Sequence, residues 1–279
     1  MKHPLISIIL PTFNRPAWLQ AAIQSVFAQT LEDWELIVAD DGSDEPTRDC
    51  LRALAADPGR QVRVLFLTHS GNPPAVRNIA LSEARGEYIA FLDSDDLWLP
   101  RKLEMQIASL GEHPAREWSY TRSLMVDGAG RPLEGGRALR YPASKDGWIA
   151  ESLLRGEAAV TQSSVVARRE AVARVGGYPE DLPICGDYEL YLRLALQSEI
   201  DFVDEPLVLV RRHSEHYCDD LAALAELRRF MGKVQRSGMV PHMRAVLRAR
   251  RARLLVGLTR EWLKSRVRGS RLASGEPRC

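Results

Sequence analysis

Leu5-Ile6-Ser7-Ile8-Ile9-Leu10 is a short, almost unbroken apolar run. Such a run marks a strand covered on both faces, as in a parallel sheet flanked by helices. Downstream, Asn14 is placed to cap a helix, Pro16 suits its first turn, and Trp18, Ala22 and Val26 fall on one face. A second strand, Glu35–Ala39, ends in the turn signal Asp40-Asp41-Gly42-Ser43. Then come a helix near Glu45–Ala56, strand Val62–Leu67, a helix near Ala75–Arg85 closed by Gly86, and strand Tyr88–Leu92. Alternation of this kind predicts a parallel sheet with right-handed crossovers, whose ligands bind beyond the carboxyl ends of the strands. Three segments are thereby singled out: Pro11–Arg15, Asp40–Ser43 and Asp93–Asp96.

Beyond Pro100 the pattern loosens. Helices are predicted near Arg101–Leu110, Trp148–Leu154, Arg169–Val175 and Asp187–Leu196, the last with Tyr188, Tyr191, Leu192 and Ala195 inward. Strands are predicted over Ser119–Val126, Val160–Ala167 and Phe202–Arg211. Two further helices fill Asp219–Val267, broken near Ser237-Gly238. The expected organisation is one domain in two halves, 1–100 and 101–216, followed by a basic helical extension over 217–279.

Composition narrows the function classes. Of 279 residues 45% are apolar and 27% charged, with a net charge of +1, which is ordinary for a globular protein and lacks the basic signature of nucleic-acid binding. The charge is uneven: His242–Cys279 holds 11 Lys and Arg against 2 Asp and Glu. Cys50, Cys185, Cys218 and Cys279 show no paired spacing and read as free thiols. Met1-Lys2-His3-Pro4 leads straight into the first strand without a signal-peptide layout, and no uncharged stretch reaches the ~20 residues a bilayer span needs. A cytoplasmic protein is expected, or one peripheral on the inner membrane face.

Three motifs carry chemistry. Asp93-Ser94-Asp95-Asp96 sets three carboxylates after a buried strand, an arrangement that costs repulsion unless a hard cation such as Mg²⁺ or Mn²⁺ compensates. Its alternative reading is an acidic turn with Asp96 capping a short helix. In Asp40-Asp41-Gly42-Ser43 a carboxylate can accept the ring N–H of a uracil-type base, while glycine admits close backbone approach; the alternative is a common turn. Asp187, in Cys185-Gly186-Asp187-Tyr188, opens a helix whose dipole favours its ionised form. It reads as a base for a hydroxyl proton, or as a simple N-cap.

Taken in order, these segments resemble the family 2 glycosyltransferases, inverting enzymes of the GT-A fold. The resemblance runs from Ile6 to about His213, through Ile6–Arg15, Glu35–Ser43, Val76-Arg77-Asn78, Ala84–Ile89, Asp93–Asp96, Val175–Tyr178 and Gly186–Arg193. It implies a Rossmann-like, mostly parallel central sheet flanked by helices, with a C-terminal helical extension. It also implies transfer of a sugar from a nucleotide-sugar donor, expected to be a UDP-sugar, to a carbohydrate or lipid-linked acceptor in bacterial surface polysaccharide or glycoconjugate synthesis.

Carried over residue by residue, the resemblance implies that Pro11, Phe13 and Arg15 line the nucleotide pocket, Asp41 reads the base beside Asp40, and Arg77 approaches the diphosphate or supports the donor loop. Asp93 and Asp95 match the family's DxD motif for Mn²⁺ or Mg²⁺, the direct metal contact falls to Asp95 or, as in members with paired aspartates here, to Asp96, and Asp187 is the base. His213 is a further candidate for the metal shell. The sequence departs from the family's pattern in Gly186 before Asp187, in lacking an Asn near His69, and in lacking the Gln-x-x-Arg-Trp motif of processive synthases, so single additions are expected. A sugar nucleotidyltransferase should show a Gly-rich basic loop where Pro11-Thr12-Phe13-Asn14 stands. A non-catalytic nucleotide-sugar binder would need no base at Asp187. A dinucleotide oxidoreductase lacks its fingerprint. The basic tail, with Leu247, Leu254, Leu258 and Trp262 at roughly helical spacing, suggests either a contact with anionic membrane or packing on the domain.

Overall fold

A computed structural model describes residues 3–56, 61–133, 145–212, 220–238 and 240–273. Its strands form one eight-stranded sheet: β1 (Ile6–Thr12), β2 (Trp34–Asp40), β3 (Val62–Phe66), β4 (Tyr88–Phe91), β5 (Leu97–Trp98), β6 (Trp118–Asp127), β7 (Val166–Arg168) and β8 (Ile200–Arg212). They lie in the order β3-β2-β1-β4-β7-β6-β8-β5. The first four are parallel, with Ile6 opposite Trp34 and Thr12 opposite Asp40, and with Ile9 beside Phe91. β7 runs antiparallel to β4 and β6, whereas β6 and β8 pair in parallel.

The opening apolar run is explained by its two covered faces. Ile6, Ile8 and Leu10 pack with Leu19, Ala22, Ile23 and Val26 of α1 (Pro16–Phe27), Leu51 of α2 (Glu45–Ala55) and Leu103 of α4 (Lys102–Glu112). Ile9 faces the other way, toward Val76 and Ala80 of α3 (Pro73–Ser82), Ala171 and Val172 of α6 (Arg169–Arg174), and Leu190 and Tyr191 of α7 (Gly186–Ala195). Ser7, the polar member of the run, is fully buried yet satisfied: it donates to Glu35 at 2.6 Å and accepts from the Gly86 N–H at 2.8 Å.

A third apolar cluster joins α5 (Ala150–Arg155) and α7 to α8 (Asp220–Ser237) and α9 (Arg244–Ala273) through Leu154, Leu192, Phe230, Met231, Val234, Leu247 and Leu254. The predicted break between the last two helices falls where Gly238 takes φ +69°. Leu247 and Leu254, proposed for a membrane face, are instead buried against α8, so that face is spent on packing. Among the described residues, no helix is long and apolar enough to cross a membrane.

Two local expectations are corrected. Val160–Ala167 is not one strand: Gln162–Ser164 form a 3-10 turn before β7, and the turn gives these buried polar side chains partners. Asn14 does not cap α1. Its side chain accepts from the Asp44 N–H at 2.7 Å, its N–H donates to Ser43 at 2.9 Å, and its own φ of 51° lies in the left-handed region. The loop after β1 is thereby tied to the loop after β2.

Candidate active site

Because Thr12 and Asp40 are level and Phe91 lies beside Ile9, the loops after β1, β2 and β4 leave one edge of the sheet. α3 and α7 complete the rim. Gly42, at φ +75°, lets the second loop meet the His69 segment; a Cβ there would stand 2.7 Å from the His69 nitrogen. Asp41 fixes that contact. Its Oδ1 accepts from the Ser70 N–H and hydroxyl at 2.8 and 2.9 Å, and its Oδ2 from the Gly71 N–H at 2.9 Å. His69, so held, stacks on the exposed Phe13 ring with centroids 4.2 Å apart, and Pro11 stands near the end of β1 opposite Ala39. Asp40 is fully buried, accepting from the Ser43 N–H at 3.1 Å.

Asp93, Asp95 and Asp96 converge, with one oxygen from each within 4.8 Å of the others. Arg77 of α3 pairs with Asp93 at 2.5 Å, and Arg15 with Asp95 at 2.5 Å. Asp96 is not a helix cap: it leads into β5, and its oxygens accept from the Ser163 hydroxyl at 2.6 Å and the Arg211 N–H at 3.1 Å. Burial, with Asp95 and Asp93 close by, pushes the Asp96 carboxyl well above its ordinary range. Burial likewise raises Asp93, with Arg77 opposing and Asp95 reinforcing. An all-oxygen, like-charged set of this kind fits a hard divalent cation.

Asp187 sits one residue inside α7, whose N-cap is Cys185, so it is not the cap itself. Its Oδ1 accepts from the Tyr188 N–H at 2.7 Å. Burial lifts its carboxyl to about 6 against that hydrogen bond and the pull of Arg77, and Asp93 adds to the rise. The site thus holds one carboxyl that titrates close to neutrality beside a cluster suited to a cation.

Three supports brace these residues; polar Gln162-Ser163-Ser164 can be read from the sequence as pocket lining or as ordinary strand residues, whereas Arg211 and Glu226 cannot be read from it. Ser163, fully buried, donates to Asp96 and accepts from the Asp93 N–H at 3.0 Å, while neighbouring Gln162 donates to Tyr178 at 2.5 Å and accepts from Tyr191 at 2.5 Å. Arg211 reaches from β8 to the Asp95 carbonyl at 2.9 Å. Glu226 of α8, 1% exposed, accepts from the Ile184 and Cys185 N–H groups at 2.8 and 2.6 Å, bracing the entry to α7. His213, with His216 and Cys218, lies outside the described residues. Two cavities of about 740 and 570 Å³ lie at the other ends of the strands, around Trp148 and Arg85, and include none of these residues.

Residues 7–117 match the family model described as glycosyl transferase family 2. Over that segment the chain is similar to the family 2 glycosyltransferases. Among curated relatives, it is 42% identical over 110 residues to the UDP-Glc:alpha-D-GlcNAc-diphosphoundecaprenol beta-1,3-glucosyltransferase WfgD of Escherichia coli, covering 39% of this chain and 42% of that one. It is 32% identical over 216 residues to the O-antigen biosynthesis protein RfbC of Myxococcus xanthus, 76% of this chain and 16% of that one. The chain spans about half or less of the first curated relatives it matches. Its fold is similar to that of the mannosyltransferase PcManGT from Pyrobaculum calidifontis, solved with GDP-Man and Mn²⁺, at TM-score 0.68 and 19% identity over 99% of this chain and 82% of that one. TarS of S. aureus, solved with UDP-GlcNAc, matches at TM-score 0.64 and 20% identity over 82% of this chain and 66% of that one. The GT-A fold expected of a family 2 glycosyltransferase is the fold observed.

Proposed function

We propose that this chain is an inverting glycosyltransferase that moves a sugar from a nucleotide-sugar, a UDP-sugar, onto an acceptor hydroxyl in surface polysaccharide or glycoconjugate synthesis. The observation that carries the reading is the pairing of the Asp93–Asp96 cluster with a raised carboxyl at Asp187, on which both Asp93 and Arg77 act. Asp187 accepts the proton of the acceptor hydroxyl as its oxygen attacks the anomeric carbon, and a single displacement inverts that carbon. Phe13 and His69 offer an aromatic surface for the base. Asp41 shapes that pocket by holding the 69–71 loop, and its remaining lone pair reads the uracil N–H. Pro11 and Asp40 form the pocket floor, and Arg15 and Arg77 present positive charge to the diphosphate.

Asp95, with Asp93 and Asp96, would hold Mn²⁺ or Mg²⁺, which would supply positive charge against the departing nucleoside diphosphate. Arg15 and Arg77, paired with Asp95 and Asp93, would present their remaining N–H groups to the phosphates. A carbohydrate or lipid-linked acceptor is supported by the lipid-diphosphate acceptor in the name of the Escherichia coli relative. The halves 1–100 and 101–216 divide donor from acceptor in this reading. Purified protein with Mn²⁺, screened against a panel of UDP-, GDP- and other nucleotide sugars by donor hydrolysis and thermal shift, tests it. The result expected is selective stabilisation and slow hydrolysis by one UDP-sugar; indifference to every nucleotide sugar would overturn it.

A further inference from the structure

α9 presents two different apolar faces. The inner one, with Leu247 and Leu254, is covered by α8 and α5. The outer one is turned to solvent. Leu255 and Val256 are 49% and 53% exposed, among the most exposed large apolar side chains of the described residues. Ala245, Ala249 and Ala252 are exposed too, and with Val256 they follow the spacing of one continuous helical line. Exposed Arg244 and Arg248 flank that line on the side of Leu255, and Arg253 flanks it on the other.

No acidic residue interrupts this face between Arg244 and Arg260. The whole of α9 carries ten Lys and Arg and a single Glu. A solvated helix face ordinarily mixes charge signs and excludes exposed leucine and valine. An apolar line between rows of arginine has a different complement: acyl chains beneath a layer of phosphate.

We propose that the outward face of α9, centred on Leu255 and Val256 and flanked by Arg244, Arg248 and Arg253, docks on an anionic phospholipid surface. The helix would lie in the plane of the interface. Its inner face stays packed on α8, so docking needs no unfolding of the third apolar cluster. Guanidinium groups supply the attraction that salt screens, and the aliphatic side chains supply the part that salt does not. Such docking stands apart from the transfer chemistry, and either can fail without the other.

The test is flotation of the full chain with phosphatidylcholine vesicles and with vesicles that also contain phosphatidylglycerol, at low and at ~0.15 M salt. The wild type is expected to float with the anionic vesicles alone, less so at the higher salt. Leu255→Glu with Val256→Glu, and separately Arg244→Glu with Arg248→Glu, should each lower the bound fraction on the order of tenfold. Thermal melting should hold in both, because these side chains lie outside the α8 contact. No flotation at low salt would overturn the proposal, as would equal flotation of the apolar variant. A dimer in light scattering that the apolar variant dissolves would overturn it in favour of a second copy.

Discussion

At the scale of single residues the question is what each carboxylate does. Asp187 rises to about 6 mainly through burial, so it is charged above that pH and protonated below it. The transfer rate should therefore climb with pH up to about 6 and level off beyond, and this bend should vanish in Asp187→Asn. That variant keeps the oxygen that the Tyr188 N–H donates to but cannot take a proton. Activity should fall about 10²–10⁴-fold with UDP affinity intact. The wild type buries a charge only above pH 6, so Asp187→Asn should gain most in melting temperature there. The gain should shrink as pH falls toward ~4, the unfolded value. Near-normal turnover by Asp187→Asn would remove the base from the mechanism. The acidic cluster divides in the same way. Asp95→Ala should relieve repulsion and keep the fold, whereas Asp96→Ala orphans the buried Arg211 N–H and should destabilise by ~1–3 kcal/mol. Asp96→Asn keeps that acceptor. Mn²⁺ titration by electron paramagnetic resonance should show weaker binding in all three, and unchanged affinity in Asp95→Ala and Asp96→Asn would sink the metal assignment.

Between elements, the site depends on contacts that no local pattern announces. Glu226 accepts from the part-buried Ile184 and the buried Cys185 N–H groups just ahead of α7, from 42 and 41 residues downstream. Glu226→Ala should cost ~1–3 kcal/mol for each orphaned group and lower transfer by shifting Asp187, while Glu226→Gln, which still accepts, should be close to neutral on both counts. Equal loss in the two variants, by melting and by rate, would mean charge rather than acceptance matters there. This contrast also shows why the sequence was legible in part. β1, β2, β4 and α7 announce themselves because apolar runs and turn residues are local consequences of burial and chain reversal. The site loops follow at once from the strand-end rule. Ser163 and Glu226 are defined by partners far away in the chain, and Asn14 trades the expected capping role for a bond to Asp44. The stretch Val160–Ala167 read as a strand because it is rich in β-branched residues, yet Gln162–Ser164, all buried, form a turn.

At the scale of the whole molecule, the helical extension is a structural part of the enzyme domain and not an appendage. Its α8 and α9 cover Leu154, Leu182 and Leu192, which are 0%, 4% and 0% exposed, and α8 supplies Glu226. Uncovering each such leucine costs roughly 1.5–3 kcal/mol, and a domain's entire stability is about 5–15 kcal/mol. A chain cut after Arg212 should therefore be insoluble or molten, with no cooperative melting transition. A chain cut after Thr259 keeps Leu247 and Leu254, the buried anchors of α9, and should melt as the full chain does and bind UDP equally well. The pair of truncations separates the packed part of the extension from its far basic end, because the longer cut removes the α8 and α9 members of the third cluster and the shorter one removes only Arg260 onward, leaving Leu255, Val256, Arg244, Arg248 and Arg253 in place. Should the chain cut after Arg212 stay soluble, melt cooperatively and turn over donor, the extension would be dispensable to the fold, and the bracing of α7 by Glu226 would lose its significance.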